Sequence, residues 1–216
     1  MARGRLISFE GGEGAGKSTQ SQLLCRRLEA SFGVETLATR EPGGSPGAEE
    51  IRALLVSGQI ERWEPLSEAL LHNAARHDHV RRTVLPALAR GVWVITDRFL
   101  DSTMAYQGYG QGVDLGQLSG LAELVVGAAM PDLTLILDLP VDAGLARTER
   151  RDDATSRYER MDRAMHERLR RGFLSIAESD AARCRVIDAS PDADSVHEAV
   201  WNSVRERFGN GAQSVD

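Results

Sequence analysis

Eight consecutive residues, Gly11-Gly12-Glu13-Gly14-Ala15-Gly16-Lys17-Ser18, satisfy the spacing G-x-x-x-x-G-K-[ST]. Glycines at these places let backbone N–H groups curl around phosphate oxygens, and a helix opening at Ser18 adds the positive end of its dipole. A lysine so placed reaches the outer phosphates of a nucleotide, and the serine hydroxyl is a ligand for Mg²⁺. The pattern therefore points to nucleotide phosphate binding by Gly11, Gly12, Glu13, Gly14, Ala15, Gly16, Lys17, Ser18 and Thr19. Of the 26 basic residues, Lys17 is the single lysine and the rest are arginine. A compact ammonium on a flexible stem suits this position better than a planar fork.

Phosphoryl transfer needs cations around the migrating group and an oriented acceptor, with little covalent work for the protein. Candidate cations are Arg40 after the second strand pattern, Arg98 after the third, and Arg147, Arg150, Arg151 and Arg157 around a later polar break. Any one arginine is ordinarily a solvated surface charge. Arg98 stands apart because Asp97-Arg98 closes an apolar strand, where an acid associated with Mg²⁺ would sit. Asp138 closes another such strand, but Pro140 and a helix follow at once, so Asp97 is preferred beside Ser18 as the metal-facing pair.

These residues need a scaffold, and the hydrophobic patterning supplies one. Strands are predicted over 6–9, 34–39, 92–96, 133–137 and 185–189, several of them apolar on both faces. Helices are predicted from Ser18 to a stop at Gly33, near 48–57, from Pro65 to about Arg90, along the stripe Met161, Met165, Leu169, Phe173 and Ile176, and through Val196, Val200, Val204 and Phe208. Strands alternating with helices belong to a mainly parallel sheet covered on both sides. The expectation is a single α/β domain over 1–208 with a five-stranded sheet and a tail at 209–216. Loops at the carboxyl ends of parallel strands converge, so Lys17, Arg40 and Arg98 are expected to meet.

The chain has 216 residues and a formal net charge of −6, an ordinary globular composition for one sizeable core. An acidic balance argues against nucleic acid as a partner, which would require surplus cations. No apolar run approaches a membrane span, and the start MARGRLISFEGG lacks the apolar stretch of a secretory signal, so the expected location is the cytoplasm. Cys25 and Cys184, far apart, one inside a helical pattern and one before a strand pattern, read as reduced packing residues. His77 and His79, two apart on a helix, cannot point the same way and are expected at the surface rather than on a metal.

Four segments in order resemble the bacterial type of thymidylate kinase: Phe9-Glu10-Gly11 through Lys17-Ser18-Thr19, then Thr39-Arg40-Glu41-Pro42-Gly43-Gly44, then Asp97-Arg98-Phe99, then Ser102 with Ala105-Tyr106-Gln107-Gly108. The resemblance runs from about Leu6 to Ala189. It implies a three-layer fold of the P-loop NTPase type, transfer of a phosphoryl group from ATP to dTMP with Mg²⁺, and a homodimer. It places Glu13 near the sugar 3′-hydroxyl, Arg98 on the acceptor phosphate, Arg40 with the substrate, and Arg76 near a base carbonyl. It also implies that Ser102, Thr103 and Gln107 line the base pocket and that Tyr106 lies under the sugar, where a 2′-hydroxyl would clash. Family members with glycine at the position of Gly14 look as if they supply the transition-state arginine from a mobile lid. The lid here is 147–159, with Arg151 and Arg157 as candidates.

Two features depart from the family pattern. Ser156 precedes Arg157 where an aspartate is usual, and His72 stands where an aromatic usually stacks on thymine. His72 and Arg76 are four apart and share a helical face, so the pocket can form with imidazole as its flat surface and a broader acceptor range is expected. Two alternatives stay open at this point: a kinase for another monophosphate, and a non-catalytic nucleotide switch. A guanine-specific Asn-Lys-x-Asp run is impossible with one lysine.

Overall fold

Five short strands, β1 (Leu6–Glu10), β2 (Thr36–Arg40), β3 (Trp93–Asp97), β4 (Leu133–Asp138) and β5 (Cys184–Asp188), pair in parallel in the order β2-β3-β1-β4-β5. The computed structural model describes residues 3–149 and 157–209. Between the strands run α1 (Lys17–Phe32), α2 (Pro46–Val56), α3 (Pro65–His79), α4 (Leu85–Ala89), α5 (Leu100–Thr103), α6 (Leu115–Val126), α7 (Val141–Glu149) and α8 (Arg163–Ser179), and α9 (Ala193–Phe208) follows β5.

Strand alternation sorts neighbouring side chains onto opposite faces of the sheet. Ile7, Ile95, Leu135 and Leu137 pack with α1 and α9, through Leu24, Leu28, Val200 and Val204. Leu6 and Val94 pack on the other side with Val80, Val84 and Leu88 from the α3–α4 stretch. Ile136, between two residues of the first set, meets Met165, Leu169 and Phe173 of α8. Burial on both faces explains why these strands read as continuous apolar runs. The architecture is the α/β fold expected, with every strand pairing parallel.

All five predicted strands are present, displaced by one or two residues. β2 begins at Thr36 rather than Val34, while β2, β3 and β4 run on to Arg40, Asp97 and Asp138. The ladder thus carries the charged residues to the sheet's edge, with Arg40 opposite Asp97. The long helix predicted from Pro65 is helical through Ala89, but Val80–Val84 forms a π turn within it. Pro86 has no N–H and crowds the carbonyl four residues back, and a widened turn just before it relieves both problems. Gly33 ends α1 in the left-handed conformation, its N–H donating to Glu29 O at 3.1 Å. Met161 is buried but precedes α8, because Asp162 caps that helix by accepting from Met165 N at 2.7 Å.

Cys25 and Cys184 are buried free thiols, Cys184 lying within β5 rather than before it. The surface expectation holds for His77 but not for His79, whose side chain is fully buried. Its Nδ1 lies 2.9 Å from Glu41 Oε1 and its Nε2 2.8 Å from Thr39 Oγ1, so the ring is a hydrogen-bonded tie between α3 and the β2 loop. Of the expected lid, 147–149 end α7 and 157–159 lie in the turn before α8. Residues 150–156, with Arg150 and Arg151, lie outside the described residues, as do 210–216 of the expected tail.

Candidate active site

The turn from β1 into α1 is the phosphate loop, and its fit depends on two close approaches. Gly14 has φ +70°, and a Cβ there would sit 2.2 Å from the carbonyl oxygen of Gly144 in α7. A Cβ on Gly144 would in turn lie 2.4 Å from Glu13 O. Helix α7 therefore rests directly on the loop backbone. Gly144→Ala gains about 1 kcal/mol of helix propensity in isolation. The overlap with the loop is expected to outweigh that gain, costing about 1–3 kcal/mol. A thermal melt and the ATP KM check this: the melting temperature falls and KM rises severalfold.

Lys17 is buried, its Nζ donating to Gly11 O at 3.1 Å and Gly12 O at 2.7 Å. Burial first, then the nearby Arg98, lower its pKa to about 8 against the pull of Glu13 and Asp97. Ser18 Oγ donates to Asp97 Oδ2 at 2.5 Å. The competing acid, Asp138, is gripped in a two-bond pair by Arg170 at 2.7 and 2.8 Å. A hydroxyl beside a carboxylate is an oxygen donor set of the kind Mg²⁺ takes, the remaining positions falling to water and phosphate. Among the described residues no group of three or more His, Cys, Asp or Glu side chains could hold a metal ion by itself.

Arg98 is the pivot. It follows β3 with φ +70°, an uncommon conformation for a residue with a side chain. Its N–H donates to Phe9 O at 2.9 Å, and its own carbonyl accepts from Thr96 Oγ1 at 2.8 Å. The guanidinium thereby reaches Glu13 Oε1 at 2.8 Å, Gly11 O at 3.2 Å and Ser102 Oγ at 3.3 Å. Tyr106 Oη donates to the same Glu13 oxygen at 2.6 Å. Burial would raise the Glu13 carboxyl, but Arg98, Lys17 and the tyrosine hydrogen bond together hold it down to about 2.

Two openings meet at this pivot. One, of about 310 Å³, is lined by Lys17, Ser18, Thr19, Asp97 and Arg147. The other, of about 270 Å³, is lined by His72, Arg76, Ser102, Thr103, Tyr106 and Gln107. Glu13 and Arg98 belong to both walls. An opening at the phosphate loop and a part-apolar cleft thus face each other across one cation and one carboxylate. That is the arrangement for moving a phosphoryl group from a donor to an acceptor.

Inside the part-apolar cleft the polar side chains are already committed. Arg76 donates to Glu41 Oε2 at 2.7 Å, Asn73 Oδ1 at 3.2 Å, Phe99 O at 2.9 Å and Thr103 Oγ1 at 3.0 Å. Gln107 Nε2 donates to Glu68 Oε1 at 2.9 Å, which leaves its carbonyl as the free end. His72 Nε2 lies 2.9 Å from Tyr158 Oη. Burial, reinforced by Arg76 and Arg157, lowers the His72 pKa to about 3, so the ring is neutral.

The structure places two expected arginines elsewhere. Arg40 is 55% exposed and pairs with Glu49 at 3.1 Å, away from both openings; strand pairing carries it past the end of the sheet on the outer edge. Arg52, from α2, takes a place on the cleft wall instead, donating to Pro42 O at 2.8 Å. Arg157, expected at the transferred group, is wholly buried. It pairs with Glu68 at 2.7 Å and donates to Leu55 O at 3.2 Å, Ile60 O at 2.9 Å and Tyr158 Oη at 3.1 Å. Arg151 lies outside the described residues. Arg52, Glu41 and Tyr158 were not singled out in the sequence. Glu41 sits inside one of the recognised segments, but Arg52 is one arginine among many and Tyr158 follows a polar stretch, so neither carried a local signal.

A parallel sheet of this order, with a phosphate loop facing an acceptor cleft, defines a P-loop kinase acting on a small phosphorylated acceptor. The profile of the thymidylate kinase family matches residues 9–200. The thymidylate kinase of Caulobacter vibrioides is 53% identical over 97% of this chain and 100% of its own length, and that of Afipia carboxidovorans is 50% identical over 96% and 92%. The crystal structure of thymidylate kinase from Ehrlichia chaffeensis superposes with a TM-score of 0.76 at 36% identity, covering 94% of this chain and 99% of that one. The chain belongs to the thymidylate kinase family.

Proposed function

We propose that this chain transfers the γ-phosphoryl group of ATP to dTMP, giving dTDP and ADP. The observation that carries this reading is the wall that Glu13 and Arg98 share between the two openings. ATP's phosphates lie along the loop Gly11–Thr19, and Lys17 leaves its loop carbonyls to meet the outer phosphates. Ser18 and Asp97 would hold Mg²⁺, which when bound neutralises charge on the phosphate oxygens. Arg98 draws the acceptor phosphate into line, and Glu13 keeps Arg98 aimed. An acceptor oxygen, already anionic, attacks the γ-phosphorus while the bond to the β-bridging oxygen breaks and ADP departs, so no general base is needed.

At the other end of the cleft, Arg76, Ser102, Thr103 and Gln107 surround the base, with Tyr106 against the sugar. The cation at the carbonyl end favours thymine over cytosine, whose exocyclic amine is a donor. Arg151 is the remaining lid candidate for the transferred group, since the partners of Arg157 already account for its charge. A coupled assay of ADP release, run with dTMP, dUMP, dGMP, AMP and no acceptor, tests the reading: release depends on dTMP above the others, and equal release without acceptor refutes it.

His72 is the chain's own mark on the acceptor site. Being neutral, it offers a flat surface smaller and more polar than a phenyl ring. His72→Phe is expected to lower the dTMP KM by about 2–5-fold, the worth of a better aromatic contact, and to sharpen selectivity against dGMP. An unchanged KM removes His72 from the base contact.

The reading extends to a homodimer and to the cytoplasm. Leu66 and Leu70, four apart on α3, are 42% and 49% exposed, and Leu124 on the adjoining α6 is 79% exposed, which supports a paired face. Among the described residues no helix is long and apolar enough to cross a membrane, and the two free thiols are buried. Both support a reducing, aqueous compartment.

A further inference from the structure

Beneath Arg98 lies a carboxyl group that touches neither opening. Glu10, the last residue of β1, is fully buried. Its Oε1 accepts from Phe99 N at 2.8 Å and Ser102 N at 3.3 Å, and its Oε2 lies 2.6 Å from Ser102 Oγ. Three contacts thus pin the turn that follows Arg98, the turn whose left-handed residue aims the guanidinium.

We propose that Glu10 is a positioning residue that works as a neutral acid, donating its proton to Ser102 Oγ and so freeing the Ser102 hydroxyl proton for the acceptor. The inference rests on the reading of the part-apolar cleft, which Ser102 lines, as the dTMP site. The proton count follows from the contacts. Oε1 spends its lone pairs on two N–H groups, so the acid proton resides on Oε2. Ser102 Oγ then accepts from Oε2–H and from Arg98 Nη1, and its own O–H turns into the cleft that Ser102 lines. When Glu10 loses its proton the direction reverses: Ser102 donates to the carboxylate, and the cleft loses a donor.

Burial and the neighbouring Asp101 favour the neutral form of Glu10, and the nearby cations oppose it. Asp101, on α5, repels a second negative charge and is itself held by Arg183 at 2.7 and 2.9 Å. Arg98 from the β3 turn, Lys17 from α1 and the Cys184 thiol from β5 also feel Glu10. Burial first, then Asp101, push the Glu10 carboxyl up to about 8, against the opposing pull of Ser102, Arg98 and the Phe99 N–H. Glu10 is therefore neutral through pH 7 and ionises as pH rises past about 8.

Calorimetric binding of dTMP to the full chain without ATP, from about pH 6.5 to 9, reads this directly, because one lost proton weakens binding by at most about tenfold per pH unit. The wild-type Kd is expected to hold to about pH 8 and then rise. Glu10→Gln, whose amide oxygen accepts the two N–H groups and whose amide N–H donates to Ser102, reduces that rise to the part Lys17 contributes. Ser102→Ala binds more weakly at pH 7 and shows the same reduction. Because Lys17 titrates in the same range, its effect remains in both variants, and only the difference from wild type belongs to Glu10. A wild-type Kd independent of pH overturns the proposal, as does an undiminished rise in either variant. If Glu10→Gln does not fold, Ser102→Ala decides alone. No dTMP binding at any pH overturns the acceptor reading itself, and this proposal with it.

Discussion

Lys17→Ala is expected to reduce kcat by about 10²–10³-fold, the effect of deleting one fixed cation from a site where charge develops. The ammonium sits on the phosphate loop itself, with the reach and flexibility to follow a migrating group. Its parking place, the carbonyls of Gly11 and Gly12, costs little to leave. Stability moves the other way. Folding lowers the Lys17 pKa, so the native state holds this charge less readily than water does, and its removal does not unfold the chain. The variant should therefore melt at or above the wild-type temperature while the coupled ADP assay falls to a residual rate. Lys17→Arg is not a rescue, because a planar fork cannot occupy the space of the ammonium between two carbonyls. Retained kcat in Lys17→Ala would remove this residue from the mechanism.

Arg157→Ala carries the second large effect, and it falls on stability. The wholly buried guanidinium ties the turn before α8 to the carboxylate of Glu68 and to two backbone carbonyls near the end of α2. Truncation strands a buried carboxylate and leaves those carbonyls without partners, a loss of about 3–5 kcal/mol. Denaturant unfolding should show the unfolding free energy falling by that amount, and kcat measured well below the melt should fall far less than in Lys17→Ala. The opposite pattern, full stability with collapsed turnover, would return Arg157 to the transferred phosphoryl group. Because Tyr158 is adjacent and meets His72, loosening this turn should also raise the dTMP KM.

Local sequence was sufficient wherever the chemistry is carried by one contiguous segment. The loop Gly11–Ser18 needs glycines, a lysine and a hydroxyl in fixed order because a single turn of backbone surrounds the phosphates, so composition and geometry coincide. The strands were equally legible, since burial on both faces leaves an unbroken apolar run. The end of β3 at Asp97-Arg98 was legible for the same reason, a charged pair closing such a run.

Arg40, Arg157 and His79 were misplaced for a common reason. A charged or polar side chain has no pattern that says whether it faces water, substrate or a buried partner, and that depends on what the fold brings opposite it. Glu49 took Arg40 to the edge, Glu68 took Arg157 into the interior, and Glu41 drew His79 under the β2 loop. The interrupted helix at Val80–Val84 belongs here too, because how a helix absorbs Pro86 depends on what packs around it.

By itself, then, the sequence determined the sheet, the phosphate loop and the family, because each is written in short-range spacing or in apolar runs. Tertiary structure alone decided that Glu13 and Arg98 form a common wall between two openings, that Arg52 and Tyr158 join the acceptor cleft, and that Glu10 sits unseen beneath the pivot. These are pairings between residues tens of positions apart, and whether a charge is paired, buried or free is settled only when the chain has closed around it.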